Sequence, residues 1–183
     1  MHLNKRILCT RKRRCLKNDV CILCRLEKEN EMNKTVVIMI GIQGSGKSTF
    51  YEKYLSDKYV RINLDTLKTR KRESLLIEEC IKLGKSFAVD NTNPTKEDRA
   101  RYIVPARNAG YKIVGCFMES KIADCIERND QRCGKARIPA CAIAATSNRL
   151  QLPDYGEGFD ELYFVKNDGQ TMTVDRWREN NEF

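Results

Sequence analysis

Gly41-Ile42-Gln43-Gly44-Ser45-Gly46-Lys47-Ser48 matches the pattern G-x4-G-K-[S/T] at every position. The apolar, β-branched run Thr35–Ile40 precedes it and predicts a buried strand, while residues 47–56 predict a helix. A glycine-rich turn between a strand and a helix points its backbone amides at phosphate groups, and the positive end of the helix lies behind them. The sequence therefore predicts a phosphate-binding loop for a nucleoside triphosphate.

Each residue type in this loop suits nucleotide binding. Glycines allow the backbone to approach the phosphates closely, the Lys47 ammonium reaches the β- and γ-phosphates, and the Ser48 hydroxyl is a ligand for Mg²⁺. Thr49 is expected near the phosphates at the start of the helix. The predicted cofactors are ATP and Mg²⁺, and the predicted cofactor-binding residues of the loop are Gly41, Gln43, Gly44, Ser45, Gly46, Lys47, Ser48 and Thr49.

Strands and helices alternate along the rest of the chain. Further strands are predicted at 59–63, Phe87–Val89, Lys112–Met118 and 161–165, the last strand of the chain. Helices are predicted at 66–83, at 95–108 with a kink or early end at Pro105, at 120–131 capped by Ser120, and from Pro139 onward. This order predicts an α/β fold of three layers, αβα, around a mostly parallel sheet. Binding residues are then expected at the carboxyl ends of the strands.

Positive charge is concentrated before the first strand. The chain of 183 residues has a net charge of +9, and residues 1–34 hold ten basic and four acidic side chains, which is +6 of that total. We predict a flexible basic arm at 1–34 and the nucleotide-binding domain at 35–183. The arm would attract phosphate backbones through counterion release, and a solvated tail is the alternative. A zinc site is a further possibility, on the arm's irregularly spaced thiols Cys9, Cys15, Cys21 and Cys24.

Composition excludes several classes of protein. The one histidine, His2, lies at the terminus, which excludes histidine-based nucleophilic catalysis and histidine zinc sites in the domain. No apolar run approaches the ~18–20 residues of a membrane span, and no signal-peptide core is found. We predict a monomeric intracellular protein that is not secreted and has no membrane partner. The basic run Arg11-Lys12-Arg13-Arg14 is typical of nuclear import signals and equally of an organelle transit peptide.

Two carboxylates follow predicted strands. Asp65 comes after the second strand, where a carboxylate could accept the proton of an attacking hydroxyl; capping of the next helix is the alternative. Asp90 ends the strand Phe87–Val89, a position suited to holding Mg²⁺ or its water, with turn capping as the alternative.

A basic segment separates two predicted helices. Its four cations flank Gly134 and predict a mobile lid that neutralises charge during phosphoryl transfer, the alternative being a solvated surface. These cations are Arg128, Arg132, Lys135 and Arg137.

Several motifs together resemble the kinase domain of the polynucleotide 5′-hydroxyl kinase family, over roughly residues 35–166. They are the loop, Asn63-Leu64-Asp65, Asp90-Asn91-Thr92-Asn93-Pro94 and Arg99-Ala100-Arg101-Tyr102. The resemblance implies that Lys47 and Ser48 bind ATP and Mg²⁺ and that Asp65 is the general base for a 5′-hydroxyl. It further implies that Arg132 is the lid arginine on the phosphates, and that Lys68 lies near a phosphate of the acceptor.

The resemblance leads to a specific expectation of function. We expect ATP-dependent phosphorylation of a 5′-hydroxyl end of DNA or RNA, in nucleic-acid end repair, with Lys68 and Arg70 binding the acceptor. The D-x-D-x-T motif of the associated phosphatase is absent, so no 3′-phosphatase activity is expected from this chain. A small-molecule or nucleoside kinase on the same P-loop scaffold is the alternative, and a non-catalytic adaptor is a third. The intact Lys47, Ser48 and Asp65 argue against the adaptor.

Overall fold

The structure, a computed structural model, describes residues 34–169 and 171–178. It contains a six-stranded sheet in the order β2-β3-β1-β4-β5-β6, in which β1 to β5 run parallel and β6 is antiparallel to β5. The strands are β1 Thr35–Ile40, β2 Val60–Ile62, β3 Phe87–Val89, β4 Lys112–Met118, β5 Glu161–Asn167 and β6 Met172–Arg176. The predicted α/β fold is confirmed. The predicted arm, apart from Lys34, lies outside the described residues, as does its cysteine cluster.

Six α-helices and two short 3₁₀ turns connect these strands within the described residues. The helices are α1 Lys47–Tyr54, α2 Leu64–Leu67, α3 Arg70–Leu83, α4 Lys96–Asn108, α5 Ile122–Asp130 and α6 Ala140–Arg149, and the 3₁₀ turns are Gly134–Ala136 and Tyr155–Glu157. None of the described helices is long and apolar enough to cross a membrane.

Both faces of the sheet are covered, which explains why β1 is uniformly buried. Alternate β1 side chains point to opposite faces. Val36 and Ile38 pack in a cluster that includes Ile77 of α3 and Tyr102 of α4. Their neighbours Val37 and Met39 pack in a second cluster that includes Phe50 and Tyr51 of α1. The sheet therefore forms the middle of three layers, and its carboxyl edge remains available for a site.

The helix predicted over residues 66–83 is two helices. Lys68 ends α2 with a left-handed φ of 69°, and Thr69 begins α3 by accepting a hydrogen bond from the Arg72 amide at 3.3 Å. The Asn63 side chain caps α2 in the same way, through the Thr66 amide at 3.1 Å. Two caps only six residues apart divide what the apolar spacing predicted as one helix.

Three smaller predictions were wrong. The early end predicted at Pro105 does not occur, because α4 continues to Asn108 and the buried Ala106 beyond the proline packs in the core. Ser120 does not cap α5; its hydroxyl donates to the Met118 carbonyl at 2.8 Å and accepts from the Ile42 amide at 3.2 Å. β5 is not the last strand, since β6 follows it. β6 is half-exposed and has too few buried apolar residues to be recognised from the sequence.

Candidate active site

A cavity of about 710 Å³ opens at the carboxyl edge of the sheet. It brings together residues from the phosphate-binding loop, from α2, from the turn after β3 and from the segment predicted as a lid. The predicted site residues that line it are Gln43, Gly44, Gly46, Lys47, Ser48, Asp65, Lys68, Arg70, Asp90 and Arg132. Four other predicted site residues, Gly41, Ser45, Thr49 and Arg128, are not part of its lining.

Glycine is required in the loop for space as well as for backbone conformation. Gly44 has a φ of 82°, and a Cβ there would lie 2.3 Å from the carbonyl oxygen of Cys125. Gly46 has a φ of 98°, and its Cβ would lie 2.5 Å from Nδ2 of Asn167. A side chain at either position would push the loop away from α5 or from β5. The close approach of these elements explains the glycine spacing physically.

Lys47 is buried beneath the loop that it follows. Its Nζ donates to the carbonyl oxygens of Gly41 at 2.9 Å and of Ile42 at 2.7 Å. Burial lowers the pKa of Lys47 from 10.5 to about 8, and the nearby Asp90 carboxylate opposes that shift. The ammonium is thus held on the inner side of the phosphate-binding loop, where the negative charge of a bound phosphate would favour its protonated form.

Ser48 and Asp90 are in direct contact. The Ser48 Oγ donates to Asp90 Oδ2 at 2.9 Å, which joins the first turn of α1 to the end of β3. Hydroxyl and carboxylate oxygens are ligands that Mg²⁺ prefers, and Mg²⁺ commonly takes only one or two protein ligands beside phosphates and waters. The pair fits a Mg²⁺ site of this kind. The described residues contain no cluster of three or more His, Cys, Asp or Glu that could hold a metal by itself.

Arg61 is a site residue that sequence reasoning missed. Its Nε and Nη2 both donate to Asp90 Oδ2, Nε at 3.0 Å, and its Nη1 donates to Glu52 at 2.9 Å. The guanidinium also lies over the Tyr51 ring, 5.0 Å from its centroid. A cation inside an otherwise apolar strand was the available signal, but nothing in the sequence identified its partner. Arg61 compensates the charge of the nearly fully buried Asp90 carboxylate.

Asp65 has an exposed carboxylate that makes no hydrogen bond within the described part of the chain. It lies in the first turn of α2, and Asn63, not Asp65, caps that helix. The Asn63 Nδ2 also donates to the backbone oxygen of Asp90 at 2.7 Å. The turn that carries Asp65 is therefore tied to the end of β3 and places a free carboxylate in the cavity.

Lys68 and Arg70 line the same cavity as Asp65. Lys68 is exposed, in the left-handed conformation that separates α2 from α3. Arg70 is half-exposed, and its Nη1 donates to Glu73 Oε2 at 2.7 Å and to the Tyr102 hydroxyl at 2.9 Å. The structure therefore brings both predicted acceptor-binding cations to the cavity. Arg72, on the same helix, is exposed and is not part of the lining.

The turn after β3 fastens the phosphate-binding loop to the core. The Thr92 carbonyl accepts from the Gly41 amide at 3.0 Å, and the Asn93 side chain donates to the Met39 carbonyl at 2.7 Å. The fully buried Arg99 donates to the carbonyls of Asn93 and Pro94 and forms a bidentate pair with Glu157. Much of the Asp-Asn-Thr-Asn-Pro run is thus needed to position the loop.

The predicted lid cations have different surroundings. Arg132 lines the cavity, whereas the Arg128 Nε donates to the Gly44 carbonyl at 2.8 Å from outside the lining. Arg137 forms an exposed ion pair with Asp130 at 2.9 Å. The Lys135 side chain lies outside the described part of the structure. Arg128 therefore braces the loop, and Arg132 is the lid cation that the structure brings to the cavity.

The buried Asn129 closes the base of this lid segment. Its Nδ2 donates to the Ile138 carbonyl at 2.8 Å, and its Oδ1 accepts from the Ile138 amide at 2.9 Å. One side chain thus replaces the backbone pairing of a strand and holds the two ends of residues 130–137 together.

Comparisons of sequence place this site in a family. The family model AAA_33, described as an AAA domain, matches residues 36–153. The chain is 31% identical over 134 residues to the bifunctional polynucleotide phosphatase/kinase of Schizosaccharomyces pombe, covering 71% of this chain and 33% of that protein. A protein of Acanthamoeba polyphaga mimivirus is 32% identical over 139 residues, covering 72% of this chain and 33% of its own length. The chain thus spans about a third of the length of these relatives.

Solved structures agree on the fold. Kti12 of Chaetomium thermophilum, solved with ADP-AlF3, has a TM-score of 0.56 at 15% identity and covers 73% of this chain and 89% of its own. A gluconokinase of Sinorhizobium meliloti has a TM-score of 0.51 at 17% identity and covers 72% of this chain and 82% of its own. With its phosphate-binding loop, its parallel sheet and the match over residues 36–153, the chain belongs to the AAA_33 family of P-loop domains.

Proposed function

We propose that this chain transfers the γ-phosphoryl group of ATP to the 5′-hydroxyl end of a polynucleotide. The observation that carries the proposal is the unbonded Asp65 carboxylate, which shares one cavity with the buried Lys47 ammonium and with the cations Lys68 and Arg70. A donor site and an acceptor base therefore face the same space. The relatives named as polynucleotide phosphatase/kinases support this choice of acceptor.

The roles of the residues follow from their positions. The loop amides and Lys47 hold the triphosphate, and Lys47 and Arg132 stabilise the charge that develops on the transferred group. Asp65 orients the acceptor hydroxyl and takes its proton as the new P–O bond forms. Ser48 and Asp90 would hold Mg²⁺, which, when bound, neutralises charge on the phosphates. Lys68 and Arg70 contact acceptor phosphates next to the reacting nucleotide.

A small-molecule kinase is the second candidate, favoured by the fold that the chain shares with a gluconokinase. The two candidates differ in the charge of the acceptor. A polynucleotide brings several backbone phosphates to the cavity, whereas a nucleoside or a polyol brings none. Cations at the cavity that have no catalytic role suit the several phosphates of the first class, whereas an uncharged nucleoside or polyol has no group to pair with them.

The test is transfer of labelled γ-phosphate from ATP to a panel of 5′-hydroxyl DNA, 5′-hydroxyl RNA, nucleosides and gluconate-like polyols, with Mg²⁺ present. We expect the oligonucleotides to be phosphorylated with an acceptor KM that rises with salt, because each phosphate contact releases counterions. Oligonucleotides already carrying a 5′-phosphate are the control and should accept no label. Equal use of nucleosides with no salt dependence would move the assignment to a small-molecule kinase.

A further inference from the structure

A buried carboxylate lies directly behind the acceptor side of the cavity. Glu73 of α3 is only 3% exposed, yet it takes no part in the phosphoryl transfer described above. Burying a carboxylate costs free energy unless several hydrogen-bond donors compensate its charge. The donors around Glu73 therefore indicate its role next to the site.

Glu73 is satisfied by three donors from three different elements. Arg70 Nη1 donates to Oε2 at 2.7 Å, the Asn91 amide nitrogen donates to Oε1 at 2.7 Å, and the Tyr102 hydroxyl donates to Oε1 at 3.0 Å. Tyr102 is itself fully buried, and burial together with the Glu73 charge raises its pKa to about 12. Its hydroxyl therefore keeps its proton and remains a donor at neutral pH.

This network reaches both parts of the acceptor site. On one side it holds Arg70, whose Nε and Nη2 make no hydrogen bond within the described residues and whose side chain is 46% exposed at the cavity. On the other side, the Asn91 Oδ1 accepts from the backbone amide of Leu64 at 2.9 Å. Leu64 immediately precedes Asp65. Through these hydrogen bonds, Glu73 connects Arg70 to the turn of α2 that carries Asp65.

We propose that Glu73 is a positioning residue that presents the free face of Arg70 to an anionic group of the acceptor and keeps it in register with Asp65. This proposal rests on the proposed function. The ion pair with Glu73 partly neutralises the charge of Arg70. Directed hydrogen bonds from the guanidinium would therefore supply much of its interaction with the acceptor. A fixed guanidinium favours a phosphate that can accept two parallel N–H bonds, and a freely rotating lysine could not impose that geometry.

The test is a double-mutant cycle on the full chain, using Arg70→Gln, Glu73→Gln and the two combined. A 5′-hydroxyl oligonucleotide is the acceptor, and kcat, acceptor KM and ATP KM are measured. We expect each single variant to raise the acceptor KM by about tenfold, the effect of losing a hydrogen bond to a charged group, with ATP KM unchanged. If Glu73 acts through Arg70, the double variant has the acceptor KM of Arg70→Gln alone.

Two further variants keep the test decisive. Glu78→Gln makes the same change at an exposed position on the same helix and should leave every constant unchanged. Tyr102→Phe removes one donor without removing the carboxylate, so it replaces Glu73→Gln if that variant does not fold; about a threefold rise in acceptor KM is expected.

The outcomes separate this proposal from the one on which it rests. A wild-type protein that phosphorylates the oligonucleotide, with additive effects of Arg70→Gln and Glu73→Gln or with a parallel rise in ATP KM, would overturn the role of Glu73 alone. A wild-type protein that phosphorylates only uncharged acceptors would overturn both proposals.

Discussion

Ser48 on α1 and Asp90 at the end of β3 are joined by a 2.9 Å hydrogen bond from the serine hydroxyl to carboxylate Oδ2. Arg61 of the edge strand β2 donates to the same oxygen. One buried carboxylate therefore connects the phosphate-binding loop, the middle of the sheet and its edge. The two oxygens expected to hold Mg²⁺ are aligned by the protein itself.

Replacing Arg61 by Gln should destabilise the fold, because among the described residues it leaves the buried Asp90 carboxylate with the Ser48 hydroxyl as its remaining side-chain donor. We expect the free energy of unfolding to fall by about 1–3 kcal/mol, measured by urea denaturation. The effect should shrink in an Asp90→Asn background. An equal loss in both backgrounds would contradict the charge compensation, and Arg101→Gln, at an exposed arginine, is the control.

Replacing Lys47 by Ala should abolish most transfer, because no other cation in the described part of the chain donates into the phosphate-binding loop from within. We expect a decrease of about 10³-fold in kcat/KM, measured with labelled ATP, while circular dichroism remains unchanged. Lys82→Ala, at an exposed lysine of α3, is the matched control. Near-normal turnover by a folded Lys47→Ala protein would refute the kinase assignment.

Replacing Asp65 by Asn removes the proposed base while keeping the size and polarity of the side chain. We expect kcat to fall by about 10²- to 10⁴-fold and the ATP dissociation constant to stay unchanged, because Asp65 makes no bond to the loop. The exposed Asp57, outside this cavity, provides the control variant Asp57→Asn. Weaker ATP binding with normal turnover of bound substrate would instead identify Asp65 as part of the nucleotide site.

Two glycine replacements separate backbone strain from lost space. Gly44→Ala places a Cβ 2.3 Å from the Cys125 carbonyl, whereas at Gly134, also at a positive φ, nothing lies within 4 Å. We expect Gly134→Ala to cost about 1–2 kcal/mol at most, the strain of a left-handed residue. Gly44→Ala should also displace the loop and weaken ATP binding by an order of magnitude or more. Similar ATP affinities in the two variants would contradict the packing argument.

Deleting residues 1–31 removes nine basic and four acidic side chains, a net change of five charges. We expect a folded domain that retains the chemical step but binds nucleic acid more weakly, with a smaller slope of log affinity against log salt. The measurements are fluorescence anisotropy across salt concentration and kcat at saturating acceptor. An inactive or unfolded truncation would show that the arm is an integral part of the domain.

The sequence predicted the parts of the fold in which one local pattern dominates. The apolar strands β1, β3 and β4 and the glycine loop match their predicted bounds, because burial on both faces requires continuous β-branched or apolar residues. The rule that ligands bind beyond the carboxyl ends of parallel strands then correctly brought Asp65, Asp90 and the loop into one region.

The remaining features depend on partners distant in sequence. Arg61 meets Asp90 and Glu73 meets Tyr102 across 29 residues each, and a single sequence carries no signal for such pairings. The chain forms two helices with Lys68 between them because the side chains of Asn63 and Thr69 each cap a backbone amide. The spacing of apolar residues does not indicate such caps. The position of Arg128 outside the cavity lining likewise results from the close packing of α5 against Gly44.

The two hydrogen bonds between Asn129 and Ile138 have a consequence for movement of the predicted lid. Because these bonds already join the ends of residues 130–137, movement of that segment would not require α5 and α6 to separate. The ion pair between Arg137 and Asp130 within this segment is exposed and contributes little free energy against such a movement. We therefore expect the segment to open at the rates of a loop and not at the slower rates of domain closure, so that its opening would not limit turnover.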